Sequence, residues 1–315
     1  MTFTIFQKLK KPSLSIKHEI HKRLAGWEEP RPHFPLRASD LFSDRQDFCP
    51  REHAFMDLGL AKKKGQFVGT AQRMTYDHGG YMERKLRDEY LRDIVVGQWK
   101  CSICNHRHPT FGKAPTVHCP SCTYKRWVYF EPEFDHVPSG VQGHMDFFVD
   151  ASEPKIKLVE CKTMAPDDFK KLVAPLGSHK IRTALYLKLI AESKWEPAKR
   201  INTRSATIIY VMKAFGLKDE SIKQAGIKDA AFSPFKEFTI ERDDSLLTSR
   251  LAQATTLKKW RDDKSVGMPC GICSSGFEKR AQGCAAVGAC WSGKYPSVVT
   301  WLENEKPRHP GKKLI

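Results

Sequence analysis

The residues best placed to do chemistry lie between Val141 and Thr163: Asp146, Glu160 and Lys162. On one side Val141, Gly143, Met145, Phe147 and Val149 alternate with Gln142, His144, Asp146 and Phe148. On the other, Ile156, Leu158, Glu160 and Lys162 share a side up to Thr163. Period-two patterning predicts two strands, Val141–Asp150 and Ile156–Thr163. The polar link Ala151-Ser152-Glu153-Pro154-Lys155 has the length and character of a hairpin loop. With the bend centred on Glu153, Asp150 faces Ile156, Phe148 faces Leu158 and Asp146 faces Glu160. Directly opposed residues have Cβ atoms about 4.5–5.5 Å apart, and like charges so placed repel. Something positive should therefore lie between the two acids, and Mg²⁺ or Mn²⁺ suits carboxylate oxygens. The competing reading is an exposed hairpin face whose charges have no task.

A second chemistry is written in the ten cysteines. Cys101-x2-Cys104 and Cys119-x2-Cys122, fourteen residues apart, have the spacing of a structural Zn²⁺ ribbon. Four thiolates close the tetrahedron, so such a site staples a fold and leaves no open position for catalysis. The tail carries Cys270-x2-Cys273-x10-Cys284-x5-Cys290, while Cys49 and Cys161 stand apart. Clustered CxxC pairs without a secretory signal argue for metal over disulfides. A second Zn²⁺ held by the four tail cysteines is one reading of the tail. Cys161 falls on the face opposite Glu160 and is expected to be buried and inert.

Other elements must position these groups. Residues 1–38 form a basic, proline-punctuated arm. A helix is expected from Leu36–Phe42, capped by Ser39 or Asp40. From Gly79 to Val95, Leu86, Tyr90 and Ile94 recur at four-residue steps and predict a helix with Glu83 on its apolar face. An acid there needs a partner. Lys113, Lys125, Arg126, Trp127 and Tyr129 of the ribbon offer phosphate contact and stacking; His106, His108 and His118 read as loop residues. A helix from Ser178, its cap, to Glu192 places His179, Arg182 and Tyr186 on one face. Ala206–Ala214 and Phe235–Arg242 read as strands. Asp243–Trp260 reads as a helix with Leu247, Leu251, Ala254 and Leu257 inward.

The 315 residues allow one large domain or two modest ones, and a 40% hydrophobic content suffices for a packed core. Against 36 Asp and Glu stand 53 Lys and Arg, a formal charge of +17, with an isoelectric point near 9.4. That balance favours a polyanionic partner, nucleic acid first and an acidic membrane second. No apolar run approaches the roughly 20 residues of a membrane span, and the opening MTFTIFQKLKKPSL has no sustained apolar stretch, so a secretory signal is not expected. A cytoplasmic (nucleoid or host-cytoplasm) protein, neither secreted nor membrane-bound, is expected. No phosphate loop of the G-x4-G-K-[ST] kind is present, which removes an ATP-driven motor.

Asp146 followed by Glu160-Cys161-Lys162 resembles the D…(D/E)-x-K core of the PD-(D/E)XK nuclease superfamily, and Gly143-His144-Met145-Asp146 resembles the G-x-x-D form of its RecB-like branch. Cys49-Pro50-Arg51 with the tail cysteines resembles the iron–sulfur clasp of AddB-type and CRISPR-associated exonucleases, although ten residues separate Cys273 from Cys284 where that pattern usually has five. The resemblance spans roughly Ser39 to Trp291. It implies an α/β fold: a mixed central sheet flanked by helices (a restriction-endonuclease-like core), an inserted zinc ribbon and a C-terminal cysteine-bound clasp. The segments would be the arm 1–38, core residues 39–98, the ribbon 99–129, core residues 130–265 with the catalytic hairpin, and the clasp and tail 266–315. Glu83, with His78 as a rival, would join Asp146 and Glu160 in holding Mg²⁺ or Mn²⁺, and Lys162 would position or activate the attacking water. His144, Arg182 and Tyr186 would contact substrate, with Arg182-x3-Tyr186 standing where the branch has Q-x3-Y. Cys49, Cys273, Cys284 and Cys290 would bind a 4Fe–4S cluster, with Cys270 as understudy to Cys273. The implied activity is metal-dependent DNA cleavage by an exonuclease acting on ends or single strands, alongside replication, recombination or repair proteins. A non-catalytic zinc-ribbon nucleic-acid binder and a structure-specific or RNA-directed endonuclease are the alternatives.

Overall fold

The computed structural model of the chain describes residues 16–28, 35–42, 48–59, 61, 66–151, 154–213, 233–263, 279–282 and 284–291. The alternating segments do pair. The central sheet has five strands: β4 (Val95–Val96), β9 (Phe147–Val149), β10 (Lys157–Met164), β11 (Ser205–Met212) and β12 (Phe235–Glu241), in the order β12-β11-β10-β9-β4. β10 and β11 run parallel and the other neighbours antiparallel, so the sheet is mixed. A second sheet joins β2 (Leu36–Arg37), β8 (Val141–His144) and β7 (Glu133–His136) in the order β2-β8-β7. The ribbon's root is the hairpin of β5 (Gln98–Cys101) with β6 (Trp127–Phe130), and β1 (Gly26–Glu28) pairs with β3 (Gln66–Val68). The α-helices are α1 (Ile16–Leu24), α2 (Ala38–Leu41), α3 (Pro50–Asp57), α4 (Thr70–Lys85), α5 (Pro166–Lys171), α6 (Gly177–Glu192), α7 (Ser245–Asp262), α8 (Lys279–Gln282) and α9 (Val287–Trp291).

Side-chain alternation along β9 and β10 divides the core into two layers. Phe148 and Leu158 pack with Leu185 and Leu189 of α6, Phe55 of α3, and Leu247 and Leu251 of α7. Phe147, Val159 and Cys161 turn the other way, against Met82 of α4, Leu86, and Trp99 and Tyr129 of the ribbon root. α5 covers β11 and β12 through Phe169, which packs with Ile208, Tyr210 and Ile240. The expected inward face of α7, Leu247, Leu251, Ala254 and Leu257, is buried throughout. Among the described residues, no helix is long and apolar enough to cross a membrane.

Four local expectations need correction. Val141–Asp150 is not one strand: Met145 and Asp146 form a break, β8 and β9 belong to different sheets, and the phase of the alternation changes there. Val141 and Met145 lie in the layer of Phe148, whereas Phe147 and Val149 lie in the other. The helix bearing Glu83 begins at Thr70, not Gly79, and gives way to a π-helical turn over Leu86–Tyr90. Its bond from the Leu91 amide to the Leu86 carbonyl, 2.9 Å, spans five residues. The added residue rotates the later positions off the apolar face, so Tyr90 is 60% exposed and Ile94 lies in the turn before β4. Arg37 is the N-cap of α2, with Asp40 Oδ2 accepting its backbone N–H at 2.8 Å. Leu176 caps α6, and Ser178 already lies inside the helix.

Candidate active site

The strand break is what makes Asp146 central. β9 and β10 pair in the expected register, Phe148 opposite Leu158, and the ladder ends at Phe147 opposite Val159, so Asp146 lies in the break just before β9. β7 and β8 pair with Glu133 opposite His144. The Met145 amide extends that ladder by donating to the Pro132 carbonyl at 3.2 Å. Glu131 directly precedes Pro132, and the charge of Asp146 acts on its carboxyl. Asp146 therefore stands at the junction of the two sheets, with Glu160 and Glu131 both under the influence of its charge.

Bonds to β10 hold Asp146 in place. Its Oδ2 accepts the Cys161 amide at 2.7 Å and lies 3.5 Å from Lys162 Nζ. Lys162 Nζ is 2.5 Å from Glu160 Oε1 and also donates to the Cys161 carbonyl at 2.9 Å. The positive charge between the paired acids is thus the Lys162 ammonium. Each carboxylate keeps an oxygen out of these contacts, and Glu160 Oε2 is buried with no hydrogen-bond partner. An ionised oxygen left so is costly. Burial first, and Asp146 second, push the Glu160 carboxyl up to about 7, against the pull of Lys162. Burial alone would depress Lys162, but Asp146 and Glu160 outweigh it and hold the ammonium above the ordinary lysine range.

Two helices close on this group through glycines. A Cβ on Gly79 of α4 would stand 3.1 Å from Thr163 Oγ1, so the helix lies tightly on β10. Glu83 follows about one turn later. Its carboxyl is pushed up to about 8 by burial, then by Asp146 and Glu131, against Arg87 and Lys162; Arg87 is 3.4 Å away. His78 precedes Glu83 by five residues, about 140° round the helix, so the two side chains leave α4 in different directions. A Cβ on Gly143 would stand 2.7 Å from Leu189 Cδ1 and 3.0 Å from Tyr186 Cδ1. This close approach seats α6 beside β8, which is the physical sense of a glycine three residues before Asp146. Tyr186 is buried, and burial, Glu160 and Asp146 together raise its phenol. The Arg182 guanidinium acts on Glu160 and Tyr186 in the opposite sense. His179, expected on the same face, hydrogen-bonds the Tyr210 hydroxyl at 2.8 Å.

Glu131 is the residue that sequence reasoning missed. Desolvation, then Asp146, raise its carboxyl. The only local signal is an acid directly after the apolar run Trp127–Phe130, and nothing in its spacing ties it to Asp146. Glu83, Glu131 and His144 line a cleft of about 460 Å³ between α4, the ribbon root and the β7–β8 hairpin. His144 Nε2 lies 3.6 Å from Glu133 Oε2.

The ribbon thiols are closer together than the acids. Cys101 Sγ is 3.4 Å from Cys122 Sγ, and Cys104 Sγ is 3.5 Å from Cys119 Sγ. All four lie within 4.8 Å of one another and could hold a metal ion such as zinc. Among the described residues the carboxylates of Glu83, Asp146 and Glu160 do not all gather within that distance. The thiols sit in two matching turns, in which Asn105 N–H donates to the Cys101 carbonyl at 3.0 Å and Thr123 N–H to the Cys119 carbonyl at 2.8 Å. Asn105 and Thr123 both have left-handed backbones, φ 59° and 62°. Amides of Cys104 and Ile103 bring the Cys101 thiol down to about 6; those of His106 and Tyr124 pull the same way on Cys104 and Cys122, which burial and the neighbouring thiols nevertheless hold above the ordinary range. Two of the proposed stacking residues have structural tasks instead. Tyr129 is buried edge-on against Trp99, centroids 5.4 Å apart, and Trp127 Nε1 donates to the Val117 carbonyl at 2.8 Å. Cys161 is buried and its thiol raised by burial, as expected.

At the chain's far end, Cys284 packs in the same core layer as Phe48 and Phe55, with Cys290 beside it. Cys49 is the N-cap of α3 and buried. The Ala285 amide donates to Glu52 Oε1 at 3.0 Å, tying the C-terminal segment to α3. Cys270 and Cys273 lie outside the described residues, as do Ser152 and Glu153 of the hairpin loop.

No family model matches the chain, and no curated protein matches it. A solved structure titled "Crystal structure of SSO0001" is similar over 87% of this chain and 92% of that one, with 13% identity and a TM-score of 0.33. The chain is thus described by its own coordinates: a mixed α/β protein with mixed sheets and a four-thiol site able to take a metal ion such as zinc.

The raised acids predict a pH effect. Carboxyls that ordinarily titrate near 4.5 hold their protons to about 7 in Glu160 and about 8 in Glu83. Between those limits the folded chain binds more protons than the unfolded one, so stability falls as pH rises. Without added divalent ions, the melting temperature should drop steadily from pH 5 to pH 8. Glu160→Gln should flatten the drop; identical slopes for parent and variant would refute the assignment.

Proposed function

We propose that the chain is a divalent-metal-dependent nuclease of the PD-(D/E)XK kind, RecB-like, with a restriction-endonuclease-like core. The observation that carries this reading is the buried Glu160, with one oxygen on Lys162 and the other unpartnered, and with Asp146 on the same lysine. A mixed sheet whose parallel pair β10–β11 is flanked by helices suits that core. The +17 charge suits a nucleic-acid substrate.

The donor set fits Mg²⁺ or Mn²⁺, which favour carboxylate oxygens. Asp146, Glu160 and Glu83 would hold the ion, with Glu131 as a further acid at the open side. Bound there, it would supply Lewis-acid polarisation of a phosphodiester and acidify a water. Lys162 holds its proton and presents a fixed positive charge to the phosphate as negative charge develops. Arg182 and Tyr186 orient the strand from α6, and His144 touches it from β8. Cys49, Cys284 and Cys290, with Cys273 or Cys270, would carry a 4Fe–4S cluster that joins α3 to the tail. The substrate is DNA with ends or single-stranded stretches, cut exonucleolytically in replication, recombination or repair within the cytoplasm or nucleoid.

A panel of labelled single-stranded, duplex and forked DNA and RNA, with Mg²⁺, with Mn²⁺ or with no added divalent ion, tests the reading. Cleavage of single-stranded or end-bearing DNA that requires added Mg²⁺ or Mn²⁺ is expected. Absence of cleavage in every arm, from protein with its thiol site loaded, overturns it.

A further inference from the structure

We infer that the root of the zinc ribbon is one wall of a single-strand channel, with the cations Lys100 and Arg107 holding the phosphate backbone that leads to Asp146. The inference rests on the nuclease reading and deepens it by naming the substrate's path.

Lys100 on β5 is bridged across the ribbon hairpin to Arg107. Both cations converge on Phe130 at the end of β6: Lys100 Nζ lies 5.4 Å and the Arg107 guanidinium 4.4 Å from its ring centre. Arg84 lines the same cleft from α4. Among the described residues none of these three cations has a carboxylate partner, although Glu83, Glu131 and Glu133 line the cleft too. Arg87 differs: its guanidinium lies over Tyr129 and pairs with Asp88 at 2.7 Å and Glu83 at 3.4 Å, which fixes it as structure. Lys100 and Phe130 of the ribbon root and Arg84 of α4 thus line the cleft together with Glu83 and Glu131, two acids on which the Asp146 charge acts. A phosphate chain with a metal-assisted scissile bond uses both kinds of group, cations for its backbone and carboxylates for the ion.

At about 460 Å³ the cleft has the volume of a small-ligand site, roughly 300–1,000 Å³, which suits a nucleotide or two of an extended strand. Aromatic and cationic groups lining a groove are the usual means of holding single strands without regard to sequence.

The test is binding of a fluorescein-labelled single-stranded 12-mer DNA, read by anisotropy across a salt series without added divalent ions, so that cleavage does not intervene. Lys100→Glu with Arg107→Glu should weaken binding at least tenfold at low salt. The slope of log K against log salt should shrink by about 1.4, since each phosphate contact on a single strand contributes about 0.7. Arg84→Glu, outside the ribbon, should act in the same direction by roughly half as much in slope. Zinc content and melting temperature equal to the parent's qualify a variant for comparison, and Arg84→Glu serves if the double variant fails to fold. Unchanged affinity and slope in a qualified variant overturn the inference. So does duplex DNA of the same length that binds as tightly and loses as much. Cleavage by the parent with unchanged binding in the variants would sink the channel and leave the nuclease reading, whereas a parent that never cleaves but binds through these cations would sink the nuclease reading and leave only a single-strand-binding wall.

Discussion

Asp146→Asn is expected to lower divalent-dependent cleavage about a thousandfold or more, roughly 4 kcal/mol of transition-state stabilisation, with no loss of fold. Asparagine keeps the size of the side chain and an oxygen to accept the Cys161 amide, now 2.7 Å from Asp146 Oδ2. What it removes is the charge that raises Glu160, Glu83 and Glu131 together. The repulsion within the acid group falls, so the melting temperature should hold or rise while turnover disappears. This opposition of stability and activity separates a catalytic role from a structural one. Lys162→Ala is a poorer test. It would leave Glu160 buried without its cation, and breaking such a pair costs about 3–5 kcal/mol, so lost activity would carry two explanations. Purified, metal-supplemented Asp146→Asn that cleaves at the parent rate would refute the mechanism.

Withholding metal from the four-thiol site should have the largest effect on structure. Four thiols within 4.8 Å of one another, with backbone amides aimed at their sulfurs, form a site whose thiolates repel without a cation. Zinc binding by such sets is worth about 10–16 kcal/mol in small domains and appears as folding energy. Chelation, or Cys119→Ser at a buried position, should release the turns at Asn105 and Thr123. The damage should not stay in the ribbon, because Trp99 and Tyr129 of its root pack with Met82, Phe147 and Val159. Expected readings are a red shift in tryptophan emission, proteolytic cuts within residues 99–129 and a lower melting temperature, all reversed by Zn²⁺. A chelated protein with unchanged emission and melting temperature would show that the ribbon folds without metal.

Legibility in the sequence followed the range of each contact. The Phe148–Leu158 register was readable because a short loop leaves few ways to pair two alternating runs. The four-thiol cluster was readable because tetrahedral metal ligation dictates thiol spacing, and the inward face of α7 because an uninterrupted helix keeps its period. Where the period was broken, the reading failed. Tyr90 was placed inward, but the π-helical turn over Leu86–Tyr90 moves it to solvent. Val141–Asp150 was read as one strand, but two sheets claim its halves. Neither break has a proline or glycine to announce it.

By itself the sequence determined that Asp146, Glu160 and Lys162 would meet and that Cys101, Cys104, Cys119 and Cys122 would gather. Both follow from local periodicity and short connections. Only the tertiary structure decided that Lys162 would contact both acids, that Glu131 would come within reach of the Asp146 charge, and that Lys100 and Arg84 would share a cleft with Glu83. The residues of that cleft sit on separate elements. Their distances are set by how α4, the ribbon root and the β7–β8 hairpin pack, which no spacing along the chain encodes.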